Sequence, residues 1–540
     1  MKRIYVYLHL ICFLGLGCSV NKSGSDKNNA TTGGEQQVSA SAPTVSYSNP
    51  VLAGDYADPS VIRVGDDYWA TATSSEWAPL YPLLHSKNLV DWETVGHVFP
   101  DKLPAWADAH FWAPEITYDK GKYYIYYTAK KKGGNLCVGV ASASQATGPY
   151  TDHGPLVCQE VGSIDAFPIR DEKGELYLVW KEDANSVRKP TPLWGQRMNE
   201  ERTALLGEKF ELFRNDPNTW EGGLVEGPAI EKRGDYYYLF YAGDACCGRA
   251  CTYGVGVARS KSIRGPWEKN PANPIMQKNA EWQCPGHGSV VKDKDNRYYF
   301  LYHAYNVNSF VYPGRQGLLD EIKWGEDNWP RFENRSPSIT AKAPHNQNRP
   351  EELNVREEFD KNVLANTWQW SVTEAPKYTL QKDNGGRLLL QSSPNKIGSI
   401  LGQRTKMASY TATAIVDQRS VSKDAQAGLT AIGDPDNALG VALRNGEIIL
   451  WSVKGNKTNI IDRAPAPQGT AIQFRLTTQK GDQMQFAWST NGQNWNSLNK
   501  GQAVDGSYLP PWDRGVRVGL TAKGPVGGSV AFDRFELMHQ

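Results

Sequence analysis

This chain of 540 residues lacks the features that mark membrane-spanning and polyanion-binding proteins. Beyond Ile4–Leu16 it has no apolar run near the roughly 20 residues that a transmembrane helix needs, which excludes a polytopic membrane protein. A basic surplus is also missing, because 59 Lys and Arg face 58 Asp and Glu, which argues against a nucleic-acid-binding surface. Long helical patterns are sparse. The chain instead has 26 Tyr, 18 Trp, 51 Gly and 32 Pro, a composition typical of an all-β protein with many turns.

The N-terminus has the pattern of an export signal. A short basic start is followed by the apolar stretch Ile4–Leu16, and small residues precede Cys18. This resembles a bacterial lipoprotein signal, in which Cys18 would be lipidated; an ordinary cleaved signal is the alternative. Residues 19–45 are rich in Ser, Asn, Gly and Thr and are expected to form a flexible tether. We therefore expect an exported protein, facing the periplasm or held in the outer membrane of a Gram-negative bacterium as a lipoprotein.

Six cysteines lie in the remaining chain, and an exported protein can form disulfides. They are Cys137, Cys158, Cys246, Cys247, Cys251 and Cys284. A zinc site at the clustered cysteines of 246–251 is the competing interpretation, but adjacent cysteines are poorly placed as tetrahedral ligands and no second pair follows. Disulfides or buried thiols are expected, with a connectivity that the spacing does not determine. The 246–251 segment follows a predicted strand and could reach a channel mouth.

A tyrosine-rich strand recurs five times in the first 330 residues. Its marker tyrosines are Tyr68, Tyr123, Tyr177, Tyr236 and Tyr298, at spacings of 55, 54, 59 and 62 residues. Each follows a turn and an apolar strand, so each unit begins with a β-hairpin. Repeats of this length, each with several strands, predict the blades of a β-propeller, and five units predict a five-bladed propeller over residues 46–338. A β-sandwich with chance similarity among its strands is the alternative.

Polar and aromatic residues occupy one position in all five repeats, 10 to 12 residues before the marker tyrosine. They are Asp58, Trp112, Asp165, Glu226 and His287. Since the innermost strand of each blade lines the central channel, these side chains should converge on one channel mouth. Two carboxylates across a sugar-sized cleft can perform glycoside hydrolysis, a third can orient the sugar, and Trp112 can cover a sugar face. Each residue taken singly could instead be structural, in a turn or at a strand end.

At these motifs the sequence closely resembles glycoside hydrolase family 43, over about residues 46–338. The resemblance implies a five-bladed propeller with Asp58 as general base, Glu226 as general acid and Asp165 as the residue that adjusts the pKa of the acid. It further implies a channel histidine, His287, beside a water or calcium ion. The resemblance places His287 and Arg315 at the substrate, and the aromatic residues Trp112, Phe167 and Trp77 are further candidates for substrate binding. The alternatives are that His287 is structural, that Arg315 only pairs with an acid, and that Trp77 packs within a blade.

The family inverts configuration, which places the base and acid about 6.5–9.5 Å apart with room for a water molecule. We expect the pKa of Glu226 to be raised by partial desolvation and by its proximity to Asp165. No cofactor is expected to be required, although a structural calcium ion in the channel is compatible with the resemblance.

A second β-rich region follows a polar, proline-containing linker at residues 339–354. Short alternating strands over residues 355–540 predict a β-sandwich. This region resembles the concanavalin-like domain that follows the propeller in many β-xylosidases and α-L-arabinofuranosidases of the family. It could bind carbohydrate or close the active site, but we favour a structural role, covering one flank of the propeller.

These observations predict an exo-acting glycosidase that releases terminal pentoses from plant hemicellulose. The first expectation is an α-L-arabinofuranosidase, and a β-xylosidase or an enzyme with both activities is the alternative. An endo-arabinanase and a non-catalytic glycan-binding protein rank lower. The expected partners are arabinose- or xylose-containing glycans, with no nucleic acid, no membrane contact beyond a lipid anchor, and a monomeric state.

Overall fold

A computed structural model describes residues 45–345, 352–382 and 385–540, and it is built almost wholly of β-strands. The predicted signal, Cys18 and the tether up to residue 44 lie outside the described residues. Short 3-10 helices occur at Ala184–Val187, Glu333–Arg335, Gln418–Ser420 and Asn499–Gly501. Within the described ranges, no helix is long and apolar enough to cross a membrane.

Five four-stranded antiparallel sheets form the first domain and are the blades of a propeller. Blade one contains β2 (Ser60–Val64), β3 (Asp67–Thr71), β5 (Leu80–Ser86) and β6 (Glu93–Phe99). Blade two contains β7 (Ala107–Asp119), β8 (Lys122–Lys131), β9 (Leu136–Ala143) and β10 (Thr151–Cys158). Blade three contains β11 (Ser163–Arg170), β12 (Leu176–Glu182), β13 (Pro192–Met198) and β14 (Leu205–Arg214). Blade four contains β15 (Val225–Arg233), β16 (Tyr236–Gly243), β17 (Gly254–Ser260) and β18 (Glu268–Lys269). Blade five contains β19 (Trp282–Lys292), β20 (Tyr298–Asn306), β21 (Gln316–Trp324) and β22 (Pro330–Arg331).

The innermost strands β2, β7, β11, β15 and β19 are neighbours in turn, and β19 contacts β2 to close the ring. The marker tyrosines lie on the second strand of each blade, as the repeat predicts. Burial of these aromatic strands between blades builds the cores, because facing aromatic rings remove large apolar areas from water. The five-bladed propeller predicted from the repeat is therefore confirmed.

The ring is also tied by its ends. Strand β1 (Ser46–Ser48) pairs with β23 (Thr340–Lys342), which lies within the stretch predicted as a linker. The Tyr47 hydroxyl donates to the carbonyl of Leu319 in blade five, across 272 residues of sequence. The first segment of the domain thus packs on its last blade.

Two packed sheets form the second domain, the predicted β-sandwich. The nine-stranded sheet contains β24 (Val355–Glu357), β26 (Tyr378–Gln381), β27 (Arg387–Gln391), β29 (Tyr410–Asp417), β34 (Ala471–Gln479), β35 (Gln483–Ser489), β36 (Asn496–Ser497), β37 (Val504–Asp505) and β39 (Ser529–His539). The six-stranded sheet contains β28 (Ser399–Arg404), β30 (Gln426–Asp434), β31 (Asn437–Arg444), β32 (Glu447–Lys454), β33 (Lys457–Pro465) and β38 (Arg517–Lys523). Alternate residues of β29 and β34 are buried, so one face of each strand meets the core between the sheets.

The sandwich is joined to the propeller by strand pairing and by a buried ion pair. Strand β4 (Trp77–Ala78) of the propeller pairs with β25 (Trp370–Ser371), which follows β24 in the chain. Arg517 donates to Oδ2 of Asp55 at 3.0 Å and to Oε1 of Gln369 at 2.7 Å, and its side chain is 2% exposed. Because Asp55 lies only a few residues before Asp58, the second domain braces the segment that carries the predicted base.

Candidate active site

The predicted site residues share a local backbone feature at the channel mouth. The register of pairing shifts in β7, β11, β15 and β19 at the segments that carry the site motifs. Residues with left-handed φ angles occur in every blade at this level: Asp58 (50°), Ala113 (37°), Asp165 (56°), Gly227 (61°) and His287 (33°). Such bulges change the direction of side chains at a strand end. The bulges of these four inner strands, together with the left-handed residue Asp58 just before β2, turn the site side chains toward one mouth.

Asp58 is buried, and both oxygens of its carboxylate are bonded. Oδ1 accepts a hydrogen bond from Nη1 of Arg315 at 3.0 Å, and Oδ2 accepts one from the Thr73 hydroxyl at 2.7 Å. The Asp58 backbone N–H donates to Nδ1 of His303 at 3.0 Å. Burial alone would raise the pKa of Asp58, but the Arg315 guanidinium and the adjacent His303 and His287 hold it well below its usual range. Asp58 is therefore ionised, as a general base must be.

Asp165 is held between two neighbouring blades. Its backbone N–H donates to the Thr128 hydroxyl oxygen at 3.2 Å, and its Oδ2 accepts from the backbone N–H of Gly227 at 3.0 Å. Burial, together with the negative charge of Glu226, raises the pKa of Asp165 to about 6, although His287 opposes the shift. Of the three carboxylates, Asp165 is thus the one that holds a proton most readily near neutral pH.

Glu226 is bonded at both carboxylate oxygens. Nζ of Lys181 lies 2.6 Å from Oε2, and the Tyr253 hydroxyl donates to Oε1 at 2.7 Å. Burial favours a raised pKa, but the charge and hydrogen bond of Lys181, with that of Tyr253, lower the pKa of Glu226 below its usual value. The expectation of a raised Glu226 pKa is therefore wrong for the unliganded site. The physical reason is a buried cation that the site motifs do not contain.

Several supporting residues come from the second strand of one blade and reach the next blade. Thr128 of blade two contacts Asp165, Lys181 of blade three contacts Glu226, and His303 of blade five contacts Asp58. Their positions correspond to within one residue, since Thr128 pairs with the motif residue Trp112, while Lys181 and His303 pair with the residues just before Asp165 and His287. Sequence reasoning missed these residues. The available signal was a polar residue directly after the aromatic run in blades two, three and five, where a buried strand would otherwise continue with apolar residues.

His287 lies among the carboxylates. Its Nδ1 is 3.5 Å from Oδ1 of Asp58 and 3.7 Å from Oδ2 of Asp165. A Cβ at Gly227 would come within 2.7 Å of the His287 ring, and the φ of Gly227 is left-handed, so glycine is required at that position.

The implied calcium ion does not fit the side chains around His287. Calcium is bound by six to eight oxygen ligands, roughly 2.3–2.6 Å away. Here a ring nitrogen faces two carboxylates whose oxygens accept hydrogen bonds from Arg315, Thr73 and Gly227. In the described parts of the chain, no group of three or more His, Cys, Asp or Glu is placed to hold a metal ion.

The predicted aromatic contacts fall into different places. Trp112 is partly exposed at the mouth, where its ring meets Trp512 of the sandwich edge-on with centroids 5.9 Å apart. Phe167 is partly buried and packs against the core between blades three and four. Trp77 does not line the pocket: its side chain is 2% exposed and packs beside Arg517 in an apolar cluster with residues of the six-stranded sheet, separate from the core between the two sheets. The assignment of Trp77 to substrate binding is therefore corrected to a contact between the domains.

Loops of both domains meet at the mouth. Nη2 of Arg315 donates to the carbonyl of Asp513, next to Trp512, at 3.2 Å. Trp512 is 58% exposed, so its ring is open to a ligand. The backbone N–H of Gly248 donates to the Tyr305 hydroxyl at 3.2 Å, and a Cβ on Gly248 would lie 3.3 Å from the carbonyl of Trp512.

The cysteines of the described chain form three disulfides rather than a zinc site. Cys137 pairs with Cys158 across β9 and β10, Cys251 pairs with Cys284, and Cys246 pairs with its neighbour Cys247. The Cys251–Cys284 bridge ties the loop after β16 to the inner strand β19, three residues before His287. The rim of the mouth is thus covalently fixed at this point.

Comparison with protein families matches both domains. Residues 47–330 match the family described as glycosyl hydrolases family 43. Residues 356–538 match the β-xylosidase C-terminal concanavalin A-like domain. Together the two matches cover the propeller and the sandwich.

Individual relatives agree with these matches. A non-reducing end α-L-arabinofuranosidase of Bacteroides ovatus is 28% identical over 444 residues, covering 77% of this chain and 79% of the relative. A xylosidase/arabinosidase of Humicola insolens is 26% identical over 500 residues, covering 85% of this chain and 90% of the relative. The solved structure of a family 43 protein from Bacillus licheniformis superposes with a TM-score of 0.78 at 25% identity, covering 92% of this chain and all of that one.

Proposed function

The chain belongs to glycoside hydrolase family 43, and from that premise we propose that it removes single terminal pentoses, foremost α-L-arabinofuranosyl residues, from plant hemicellulose and its oligosaccharides. The observation that carries the proposal is the gathering of three carboxylates with different ionisation at one mouth. Asp58 is held ionised, Asp165 is held near its protonation range, and Glu226 is paired with a cation. The ionised Asp58 meets the requirement for the base, and Glu226, whose pKa is lowered in the unliganded site, must take up a proton before it can act as the acid.

In the proposed reaction the oxygen of a water molecule attacks the anomeric carbon, and Asp58 takes a proton from that water molecule. Glu226 gives a proton to the glycosidic oxygen, which keeps the electron pair of the breaking carbon–oxygen bond. The products are a sugar of inverted configuration and a free hydroxyl on the leaving group, while Asp58 holds a proton and Glu226 is ionised. Exchange of one proton with solvent restores the site.

An exo mode of action is supported by the residues of the sandwich that lie at the channel mouth. Asp513 and Trp512 of the sandwich lie against Arg315 and Trp112 of the propeller, so the sandwich contributes to the rim. A rim built by a second domain favours a short pocket over the open groove that an endo-acting enzyme needs. Trp112 and Trp512, which contact each other edge-on, offer aromatic surface for a sugar ring at this rim.

A β-xylosidase activity is the second candidate, alone or combined with the first. It is favoured by the match of residues 356–538 to a domain named for β-xylosidases and by relatives named as both xylosidase and arabinosidase. Arabinofuranose and xylopyranose present similar hydroxyls to one pocket.

The test compares pentose release from an aryl α-L-arabinofuranoside, an aryl β-D-xylopyranoside and the matching oligosaccharides. Proton NMR of the first turnover identifies the anomer. We expect release of single sugars of inverted configuration, with the arabinofuranoside preferred. Release of internal oligosaccharides would favour an endo-arabinanase. Binding of the same sugars without hydrolysis would favour a glycan-binding protein.

No cofactor is assigned to this reaction, because every proposed role is filled by a side chain. Exhaustive treatment with a chelator should leave the turnover rate unchanged, and loss of activity that calcium restores would contradict this.

Export as a lipoprotein anchored at Cys18 is also proposed. Three disulfides in the described chain support an oxidising compartment. Labelling of expressing cells with a radioactive fatty acid should mark the wild type and not Cys18→Ser, whereas equal labelling of both, or of neither, would contradict it.

A further inference from the structure

The pair formed by Lys181 and Glu226 is exceptional in its burial. The Lys181 side chain is 1% exposed, and no other lysine that the structure describes is buried. Its Nζ lies 2.6 Å from Oε2 of Glu226 and 3.1 Å from Oδ1 of Asp183. A buried ammonium is costly to desolvate unless anions compensate it. One of the two compensating anions is the residue assigned as the general acid.

The titratable groups that act most strongly on Glu226 come from the four elements around it. Lys181 approaches from β12, Tyr253 from the residue just before β17, Asp165 from β11 and His287 from β19. Lys181 has the largest effect of these neighbours in lowering the Glu226 pKa. The equivalent residues of other blades are Thr128 and His303, which bond to the site without carrying a fixed positive charge. Lys181 thus fills a shared supporting position with a cation.

The hydrogen-bond partners of the two Glu226 oxygens differ in whether they can accept a hydrogen bond from a protonated carboxyl group. An ammonium group has three donors and no lone pair, so a proton on Oε2 would point at a group unable to accept it. The Tyr253 hydroxyl is both donor and acceptor, and by rotating its hydrogen it can accept from a protonated Oε1. A proton on Glu226 is therefore compatible with Oε1 and is opposed on Oε2.

We propose that Lys181 is a positioning residue of the acid step, which keeps Oε2 of Glu226 unprotonated so that Oε1 carries the transferable proton, and which neutralises the carboxylate left after transfer. The proposal rests on the glycosidase function proposed above. In the step, the Oε1–H bond breaks as a bond from that hydrogen to the glycosidic oxygen forms. The negative charge that remains on Glu226 is then shared with the Lys181 ammonium.

Two substitutions should shift the pKa of Glu226 in opposite directions. Lys181→Met removes the cation, so Glu226 should hold its proton to higher pH. Asp183→Asn removes the competing anion, so the ammonium should act more fully on Glu226, which should lose its proton at lower pH. A residue that only fills space would not produce shifts of opposite sign.

The experiment measures kcat/KM against pH for an oligosaccharide, whose leaving group needs protonation, and for an activated aryl pentoside, whose leaving group needs little. For Lys181→Met we expect the alkaline limb to move up by about 1 to 3 pH units, the effect of one adjacent charge on a carboxyl group. Its kcat should fall at least about tenfold on the oligosaccharide and much less on the aryl substrate. For Asp183→Asn the alkaline limb of the kcat/KM profile should move to lower pH.

Lys292→Met is the matched control. Lys292 also pairs with a glutamate of β15, Glu231, but that pair lies at the far end of the strand from Glu226. Its profile should coincide with that of the wild type. If Lys181→Met does not fold, the shift in Asp183→Asn, whose target is partly exposed, decides the question.

Several outcomes would overturn the proposal. One is an alkaline limb that stays in place in Lys181→Met, another is an equal loss on both substrates, and a third is a limb that does not move down in Asp183→Asn. A wild-type protein that hydrolyses no pentoside would instead refute the proposed function itself. The two failures are therefore distinguishable.

Discussion

Nη1 of Arg315 lies 3.0 Å from Oδ1 of Asp58, and both side chains are buried. The sequence left open whether Arg315 contacts substrate or pairs with an acid, and the structure shows the ion pair. The pair joins the start of blade five's third strand to the start of blade one, 257 residues away. Nη2 of the same guanidinium donates to the carbonyl of Asp513 in the sandwich. Arg315 therefore links three parts of the protein: the predicted base Asp58 of blade one, blade five, and the second domain.

Replacement of Arg315 by Met should raise the pH at which Asp58 becomes ionised. Arg315 is the strongest influence that lowers the Asp58 pKa, so its removal leaves burial less opposed. We expect the acidic limb of kcat/KM to move up by about 1 to 3 pH units. Arg259→Met, at a partly exposed pair with Glu268, is the control and should leave the limb in place. An unmoved limb in Arg315→Met would show that Arg315 does not set the ionisation of the base.

Glu226→Gln should abolish hydrolysis of oligosaccharides while leaving the fold intact. Loss of general acid assistance costs roughly 10²- to 10⁴-fold for a poor leaving group and far less for an activated aryl group. The measurement is kcat on both substrates, with circular dichroism to verify folding. Glu231→Gln, on the same strand, should retain turnover of both. Unchanged turnover of the natural oligosaccharide by Glu226→Gln would refute the assignment of the acid.

Asp165→Asn should inactivate the enzyme and stabilise it at neutral pH. The folded-state pKa of Asp165 is raised to about 6, so the folded protein binds this proton more tightly than the unfolded chain, whose aspartates titrate near 3.9. Stability from this group is complete below about pH 4, falls as pH rises to about 6 and is then constant. The asparagine variant avoids a penalty of at most about 3 kcal/mol at pH 7.

Thermal unfolding at two pH values tests this sign. The melting temperature of Asp165→Asn should exceed that of the wild type at pH 7, and the two should approach each other at pH 4. A variant that melts below the wild type at pH 7 would show that Asp165 is ionised at no cost in the folded protein.

Arg517→Met should destabilise the joint between the domains. Among the described residues, the hydrogen-bond donor that it leaves to the buried Asp55 carboxylate is the backbone N–H of Gly515, at 3.2 Å. Breaking a buried ion pair by removing one partner costs about 3–5 kcal/mol. We expect a matching loss in denaturant unfolding and a fall in kcat, because Asp55 lies close to Asp58 in the chain.

Two further variants separate charge from packing at this joint. Arg534→Met, at an exposed pair with Glu358, should cost at most about 1 kcal/mol. Adding Asp55→Asn to Arg517→Met should recover part of the stability, because it removes the uncompensated charge. If the double variant is no better than Arg517→Met, the lost stability comes from packing against Trp77.

Local patterns predicted much of this protein. The spacing of Tyr68, Tyr123, Tyr177, Tyr236 and Tyr298 predicted five blades, because each blade repeats the same hairpin. Asp58, Asp165 and Glu226 could be named because equivalent positions of equivalent blades face one channel. Alternating apolar residues after residue 355 predicted the sandwich, since one side of each strand must be buried.

The charge state of the site could not be predicted in this way. The pKa of Glu226 depends on Lys181, 45 residues away, and that of Asp58 depends on Arg315, 257 residues away. Trp77 was predicted to contact substrate because it is aromatic, but in the structure it packs against the second domain. By itself the sequence determined the repeats, the domains and the carboxylates. Only the closed ring and the docked sandwich decided which carboxylate is ionised, because ionisation depends on groups that folding brings within a few ångströms.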